Sequence, residues 1–500
     1  MKPGYAISVV VLLLSVTGLA FGAEGEPPLP AGLGADAPKP YQPGSPEPEL
    51  PAGLDSPASN EPDLPAGLDA TEPDLPPGLD DQPKPDLESR EAAVRERLKI
   101  LSGITGFLDA RAGIRLQHDP YEKDASLGET RLRLETGRIT ENARLDLKAD
   151  LLYDAVNGSS SVNLESGRGW IDLREASVSF TPASFADVKL GRQILTWGTG
   201  DLLFINDLFP KDWNSFLIGR NEEYLKAPSD AAKVSLFSEV ASLNVVYTPR
   251  FDADRFITGD GISYYNGSLG RIAGRDAIVN ADRPDRWFRD DEIAARLYRT
   301  IGGYEVALYG YDGYWKSPAG QDPVTMKATF PRLGVFGASA RGKVGKGIGN
   351  IELGYYDSKD DRRGDNPFVR NSEFRFLAGY EQELSRDFTA GLQYYVEHML
   401  DHGAYERSLP PGMTAADLNR HVTTLRLTRL LMNQNLKLSL FTFYSPSDSD
   451  AYLRPVADYK VNDNWSTVIG GNIFLGSGER TFFGQFEDNT NVYAGVRYSF

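Results

Sequence analysis

Between residues 130 and 150 apolar and charged side chains take turns. Leu132 and Leu134 alternate with Arg131, Arg133 and Glu135, then Leu145 and Leu147 with Arg144, Asp146, Lys148 and Asp150. A period of two is that of a β-strand, whose successive side chains point to opposite faces. The rhythm returns at Leu425 and Leu427, and again at Leu436, Leu438 and Leu440. It also ends the chain: Val492, Ala494, Val496, Tyr498 and Phe500 fall on one side, Tyr493, Gly495, Arg497 and Ser499 on the other. One face is greasy and has nothing after it to cover it. The other carries charges that need water.

Eighteen segments are predicted as strands: 103–117, 128–139, 143–153, 169–181, 186–196, 232–238, 242–249, 291–300, 304–311, 332–344, 349–356, 372–382, 388–398, 420–431, 436–444, 452–461, 465–475 and 491–500. Each approximates the roughly 9–11 residues a tilted strand needs to cross a bilayer. The connections alternate between long loops and tight turns such as 140–142, 301–303, 433–435 and 462–464. Short turns at one rim and long loops at the other are the pattern of a membrane barrel. The predicted fold is therefore all-β, a transmembrane up-and-down antiparallel β-barrel of about 18 strands (16–18). Strand 169–181 changes step near Glu175, where a bulge is expected. Two aromatic girdles are expected, with Tyr309, Tyr311, Tyr355, Tyr356, Tyr394 and Tyr395 by the long loops. Phe180, Phe388, Trp465, Tyr498 and Phe500 make up the other.

The first hundred residues read differently. Residues 1–22 hold the one apolar run, Ala6 to Ala20, behind Lys2 and before small residues, and predict a secretory signal peptide. Residues 23–86 carry 17 of the 32 prolines and a net charge of −12, which leaves −6 for residues 87–500 out of −17 overall. A segment so poor in apolar side chains is expected to be a disordered tail. Leu-Pro-Ala-Gly-Leu occurs at 29–33, 50–54 and 64–68, with Leu-Pro-Pro-Gly-Leu at 75–79. These phrases predict a spacer or a multivalent tether to a periplasmic partner. Residues 87–101 predict a short linker helix, and residues 102–500 the barrel. The chain lacks cysteine and any basic block, so neither a disulfide framework nor nucleic-acid binding is expected.

The stretch from Asp187 to Asp212 reads DVKLGRQILTWGTGDLLFINDLFPKD and follows Leu173-Arg174-Glu175-Ala176-Ser177-Val178. It resembles a porin-like outer-membrane barrel family of Gram-negative bacteria, with its LREA-x-V strand, GRQ-x-x-x-WG strand and IND-L-x-P loop. The resemblance covers Leu173 to Trp213. It implies an outer-membrane channel, monomeric or homotrimeric, with the N-terminal tail in the periplasm.

The residues themselves add a constriction. The segment 198–231 mixes Leu202, Leu203, Phe204, Ile205, Phe209, Trp213 and Phe216 with Asp201, Asp207, Lys211, Asp212, Arg220, Glu222 and Glu223. So apolar a loop is costly to leave in water. Folding it into the lumen buries its apolar side chains and sets its charges against Arg131, Arg133, Arg144, Lys148 and Arg192, where it would set pore width. The loop 250–290 is expected to be solvent-exposed. His398 and His402 lie four apart on a strand end and do not converge as zinc ligands would. Asp357, Asp360, Asp361 and Asp365 miss the spacing of a calcium loop. With no Gly-x-Ser-x-Gly elbow, neither metal, cofactor nor catalytic residue is predicted. The expected function is passive or selective passage of small hydrophilic solutes through a barrel bathed in outer-membrane lipid. The alternative is a barrel that sheathes or docks a partner protein through its tail.

Overall fold

A computed structural model describes residues 103–158, 161–476 and 478–500; the predicted signal peptide, repeat tail and linker helix lie outside the described residues. Eighteen long strands form a single antiparallel sheet. The first six are β1 (Ile104–Arg115), β2 (Ala125–Ile139), β3 (Arg144–Asp154), β4 (Ile171–Ala183), β5 (Ala186–Ile194) and β6 (Pro228–Leu236). Next come β7 (Ser242–Thr248), β8 (Glu292–Ile301), β9 (Tyr304–Tyr314), β10 (Arg332–Val344), β11 (Gly347–Ser358) and β12 (Glu373–Ser385). The last are β13 (Phe388–Met399), β14 (Asn419–Leu431), β15 (Leu436–Ser445), β16 (Asp450–Lys460), β17 (Trp465–Gly476) and β18 (Asn491–Ser499).

Each strand pairs with the next, and β18 returns to β1 with Leu108 opposite Tyr498 and Ile114 opposite Val492. Gly106 and Phe500 complete the seam by exchanging backbone hydrogen bonds of 3.1 Å. Closure leaves no row of unpaired N–H and C=O groups, which the hydrocarbon of a bilayer would not tolerate.

All eighteen predicted segments are strands. The largest shift is in β6, which starts at Pro228 rather than 232. Proline is tolerated there because it is the first residue of the strand. Residues 228–231 thus belong to the wall, opposite Ile194 to Gly191. The expected bulge is present: Lys148 pairs with Glu175 but Ala149 with Leu173, so Arg174 is the extra residue.

Sidedness follows the two-residue period. Phe336 and Ile469 are two-thirds exposed on the outside, with Leu145, Leu147, Leu308 and Leu392 also exposed. Arg131, Arg133, Asp150, Arg174, Glu352 and Glu373 are buried on the inside. The outer girdle by the long loops holds only two of the six tyrosines expected there. Tyr355 and Tyr394 face out, but Tyr309, Tyr311, Tyr356 and Tyr395 are buried and point inward. Adjacent residues of a strand cannot share a face, so Tyr355–Tyr356 and Tyr394–Tyr395 had to divide.

The loop 250–290 is also not the exposed loop expected. Phe251, Ile262 and Ser263 are fully buried, and Arg255 holds Asp172 of β4 at 2.7 Å. The salt bridge draws this loop inward although its composition is polar.

Candidate constriction inside the barrel

The segment between β5 and β6 leaves the wall at Leu195 and crosses the lumen. Trp197 packs edge-on against Phe209 at 4.9 Å, closing the segment on itself. The far wall then receives it. Glu352 of β11 accepts hydrogen bonds from the backbone N–H of Thr199, of Gly200 (2.8 Å) and of Asn206 (3.3 Å), and from Asn206 Nδ2 (3.0 Å). Tyr356 donates its hydroxyl to the Ile205 carbonyl at 2.5 Å.

The approach is this close because Gly337 and Gly354 face each other across β10 and β11. A Cβ on Gly337 would overlap the Asn206 side chain, and one on Gly354 would lie 2.6 Å from Ile205. Both loop residues are fully buried in the resulting hollow.

Asp201 reaches further, to Arg426 of β14 (2.5 and 2.8 Å), while its N–H donates to Gln393 of β13 at 2.8 Å. Asp207 accepts from Thr196 at 2.8 Å and pairs with Lys211 at 3.0 Å. Asp212 has two roles. Its carboxylate caps the helix α1 (Trp213–Ile218) through the Ser215 N–H at 2.8 Å, and it lies 3.4 Å from Arg255. Side-chain oxygens are favoured at that position because the first N–H groups of a helix lack partners. Phe216 of α1 meets Phe443 and Tyr452 edge-on at 6.1 and 5.5 Å.

The helix ends at Gly219, whose φ of +94° suits glycine and where a Cβ would strike the Tyr493 ring. The Gly219 carbonyl accepts from Arg111 at 3.0 Å. Arg220 then pairs with Glu129 of β2 and reaches Ser215 Oγ at 3.0 Å. Burial works against the Arg220 charge, but the Glu129 carboxylate outweighs it and holds the guanidinium above its ordinary pKa.

Glu222 pairs with Arg426 at 3.1 Å, and Glu223 with Arg133 at 3.0 Å and Arg497 at 3.1 Å. Next to them Tyr224 is caged by cations. The guanidinium carbons of Arg131, Arg133 and Arg174 lie 4.2, 4.9 and 5.0 Å from its ring centre, and Arg133 donates to its hydroxyl at 2.7 Å. Burial pushes the phenol well above its usual range. The crossing segment thus brings carboxylates to a wall of arginines, where Asp201, Glu222 and Glu223 meet Arg426, Arg133 and Arg497.

Of the predicted residues, Asp201, Asp207, Lys211, Asp212, Arg220, Glu222, Glu223, Arg131 and Arg133 belong to this arrangement. Arg144, Lys148 and Arg192 do not meet the crossing segment. Arg144 bonds Asp146 at 2.8 Å, and Lys148 lies 3.4 Å from Glu175 and 3.8 Å from Glu135, all within the wall. Arg192 binds Asp230 of β6 at 2.9 Å and the Leu173 carbonyl at 2.7 Å. Arg144 and Lys148 lie on the inner face near the short turn 140–143, whereas Arg192 sits at the long-loop end of β5 but is taken up by its wall neighbours. Glu352, Arg426, Arg497, Glu129 and Arg255 were missed. Each occupies an inward position or a loop remote in sequence, and no local signal separates it from its neighbours. The histidines stay apart: His398 Nδ1 bonds Asn419 at 2.7 Å and His402 Nε2 the Ala416 carbonyl at 2.8 Å.

No protein-family model matches the chain, and no curated protein matches it in sequence. Solved structures similar in outline include Acinetobacter baumannii OccAB1, with 10% identity over 79% of this chain and 96% of that one and a TM-score of 0.48. Pseudomonas aeruginosa OccD3 (OpdP) gives 11% identity over 80% and 91%, with a TM-score of 0.45. Salmonella typhi OmpF in complex with daunomycin gives 10% identity over 79% and 97%, with a TM-score of 0.39. At these values the likeness adds nothing to what the strand ladder shows by itself.

Proposed function

We propose that the barrel is an outer-membrane channel of a Gram-negative bacterium, passing small water-soluble solutes around the crossing segment 195–227. The observation that carries this reading is the pairing of a closed wall, apolar outside and charged inside, with a segment pinned across its lumen. Water must wet the inner face to solvate Lys148, Lys189 and Glu135, which stay partly exposed there. Barrels of this strand number leave an aqueous lumen, so whatever crosses it sets width and ion preference.

By the usual orientation, the long loops face outward and the short turns face the periplasm. Ile104 lies at the short-turn rim, opposite Thr136 of β2. Residues preceding it would therefore join on the periplasmic side, where a partner for 23–86 is proposed. Outer-membrane lipid is the proposed neighbour of the apolar band. A homotrimer is carried from the porin resemblance as the proposed assembly, to be checked by native mass spectrometry.

The test is conductance in planar bilayers. Wild-type protein should insert and pass a steady ionic current. Deleting Leu202 to Glu222 should enlarge the current and move the reversal potential in a salt gradient. A protein that inserts and never conducts overturns the reading.

A further inference from the structure

On the long-loop side of the crossing segment the inner wall changes character. A cavity of about 600 Å3 opens there, within the roughly 300–1,000 Å3 of small-molecule sites. Phe204, Trp213 and Phe216 of the crossing segment line it, with Trp315 from the loop after β9 and Phe482 and Phe483 from the loop before β18. Their rings touch in sequence: Phe204 to Trp213 at 6.1 Å, Trp213 to Phe216 at 6.0 Å, and Phe482 to Phe483 at 4.8 Å. Phe204 and Trp213 are only partly buried and Phe482 is 47% exposed. Phe204, Trp213 and Phe482 thus leave aromatic surface open at the mouth of a water-filled barrel, backed by the buried rings of Phe216, Trp315 and Phe483. Such a shelf is unusual surface to leave bare.

The charges at its edge are paired, apart from Asp254, whose carboxylate is taken up by the Lys211 backbone N–H, Trp213 Nε1 and Ser317 Oγ. Arg370 and Arg375 hold Glu373 at 2.5 and 2.8 Å, and Arg420 holds Asp448 at 2.8 Å. All three reach Glu397, at 3.7, 3.7 and 3.8 Å. Three guanidiniums therefore face three carboxylates. Lys211 is matched by Asp207 and Lys316 by Glu292. Arg370 and Arg420 also lie over aromatic rings, 4.8 Å from Trp315 and 4.7 Å from Phe482. A guanidinium paired with carboxylates and set over a ring can still donate N–H groups without presenting an unmatched charge.

Given the channel reading above, on which it rests, the geometry points to the solute class: an uncharged molecule with an aromatic or alicyclic body and a polar group that accepts hydrogen bonds. The body replaces water on the aromatic shelf, which supplies the affinity. The arginine–carboxylate edge orients the polar group, and since its cations are paired and Asp254 already accepts from three donors, no free charge is left to reward a charged solute.

The experiment uses the full chain in planar bilayers with cyclohexyl β-glucoside and methyl β-glucoside as probes, both neutral and sharing one polar head. The cyclohexyl compound should interrupt the current at a concentration at least about tenfold lower, the weight of one aromatic-shelf contact. Phe482→Ser and Phe204→Ala should each erase that preference, with heat-shifted gel mobility confirming a folded barrel. Ile469→Ala, on the lipid side, should leave it intact. Equal block by the two glucosides overturns the inference, as does tighter block by cyclohexanecarboxylate or cyclohexylammonium. Loss of preference in Ile469→Ala does the same, since the probe would then act from the lipid. If the protein never conducts, the channel reading fails alone. Intrinsic tryptophan fluorescence of the protein in nanodiscs then still reads the preference, and its presence or absence decides the site.

Discussion

Replacing Glu352 by alanine isolates the anchor of the crossing segment. The carboxylate is 1% exposed and has no salt-bridge partner among the described residues, so its whole interaction is with the N–H groups of Thr199, Gly200 and Asn206. Hydrogen bonds to a charged group contribute about 1.5–3 kcal/mol each. The contact at 3.3 Å is weak, which leaves three strong ones and a gross figure of about 4.5–9 kcal/mol. Neighbouring bonds are not additive and lumen water reaches the freed donors, so a net loss of about 3–4 kcal/mol is expected. At 1.4 kcal/mol per factor of ten, the ratio of detached to seated segment rises roughly 10²- to 10³-fold.

The barrel itself should persist, because no rung of the strand ladder involves the Glu352 side chain. In planar bilayers the Glu352→Ala channel should show a larger mean conductance and added current noise. The chain has no cysteine, so a single thiol at Leu203→Cys reports access cleanly. Maleimide should label it faster when Glu352→Ala is also present. Unchanged conductance, noise and labelling together would refute the anchor.

Other outcomes follow from the same contacts. Gly354→Val should push Ile205 off the wall, costing about 1–3 kcal/mol of thermal stability and widening the pore, as read by melting of the heat-modifiable form and by conductance. Arg426→Ala leaves Asp201 and Glu222 without their cation; the reversal potential in a salt gradient should move toward cation preference, and a shift toward anions would refute the pairing. Tyr224→Phe removes only the bond from the Arg133 guanidinium and should cost about 1.5–3 kcal/mol, whereas Tyr224→Ala also leaves three guanidiniums unstacked and should cost about 3–5 kcal/mol by thermal inactivation. In the outer loop, Arg286 bonding holds the Asp290 carboxyl down at about 2. A depressed carboxyl stabilises above its unfolded value of about 3.9 and loses that contribution as pH falls through the folded one. Pepsin should therefore spare residues 250–290 at about pH 4 and cut them at about pH 2.

The alternation of Leu132 and Leu134 with Arg131 and Arg133 was sufficient to place strands, because the two-residue period is a property of the local backbone. A chain that repeats it eighteen times, with greasy and charged faces both unfilled, leaves few folds except a closed wall between lipid and water. The apolar content of 198–231 likewise announced a loop that leaves solvent. Even the division of Tyr355 from Tyr356 was open to reading, since parity alone assigns one to each side. What the chain could not disclose was which inward charges the loop would meet. Arg144, Lys148 and Arg192 satisfy the pattern as well as Arg426 and Arg497 do, and only the stagger and closure of the barrel bring the latter pair beside Asp201, Glu222 and Glu223. Glu352 and its glycine hollow lie about 150 residues from the segment they hold. Arg255 looked like one more polar residue of an exposed loop until Asp172 and Asp212 stood next to it. Local period fixes which way a side chain points. Its partner is a matter of distance through space, which the tertiary structure alone determines.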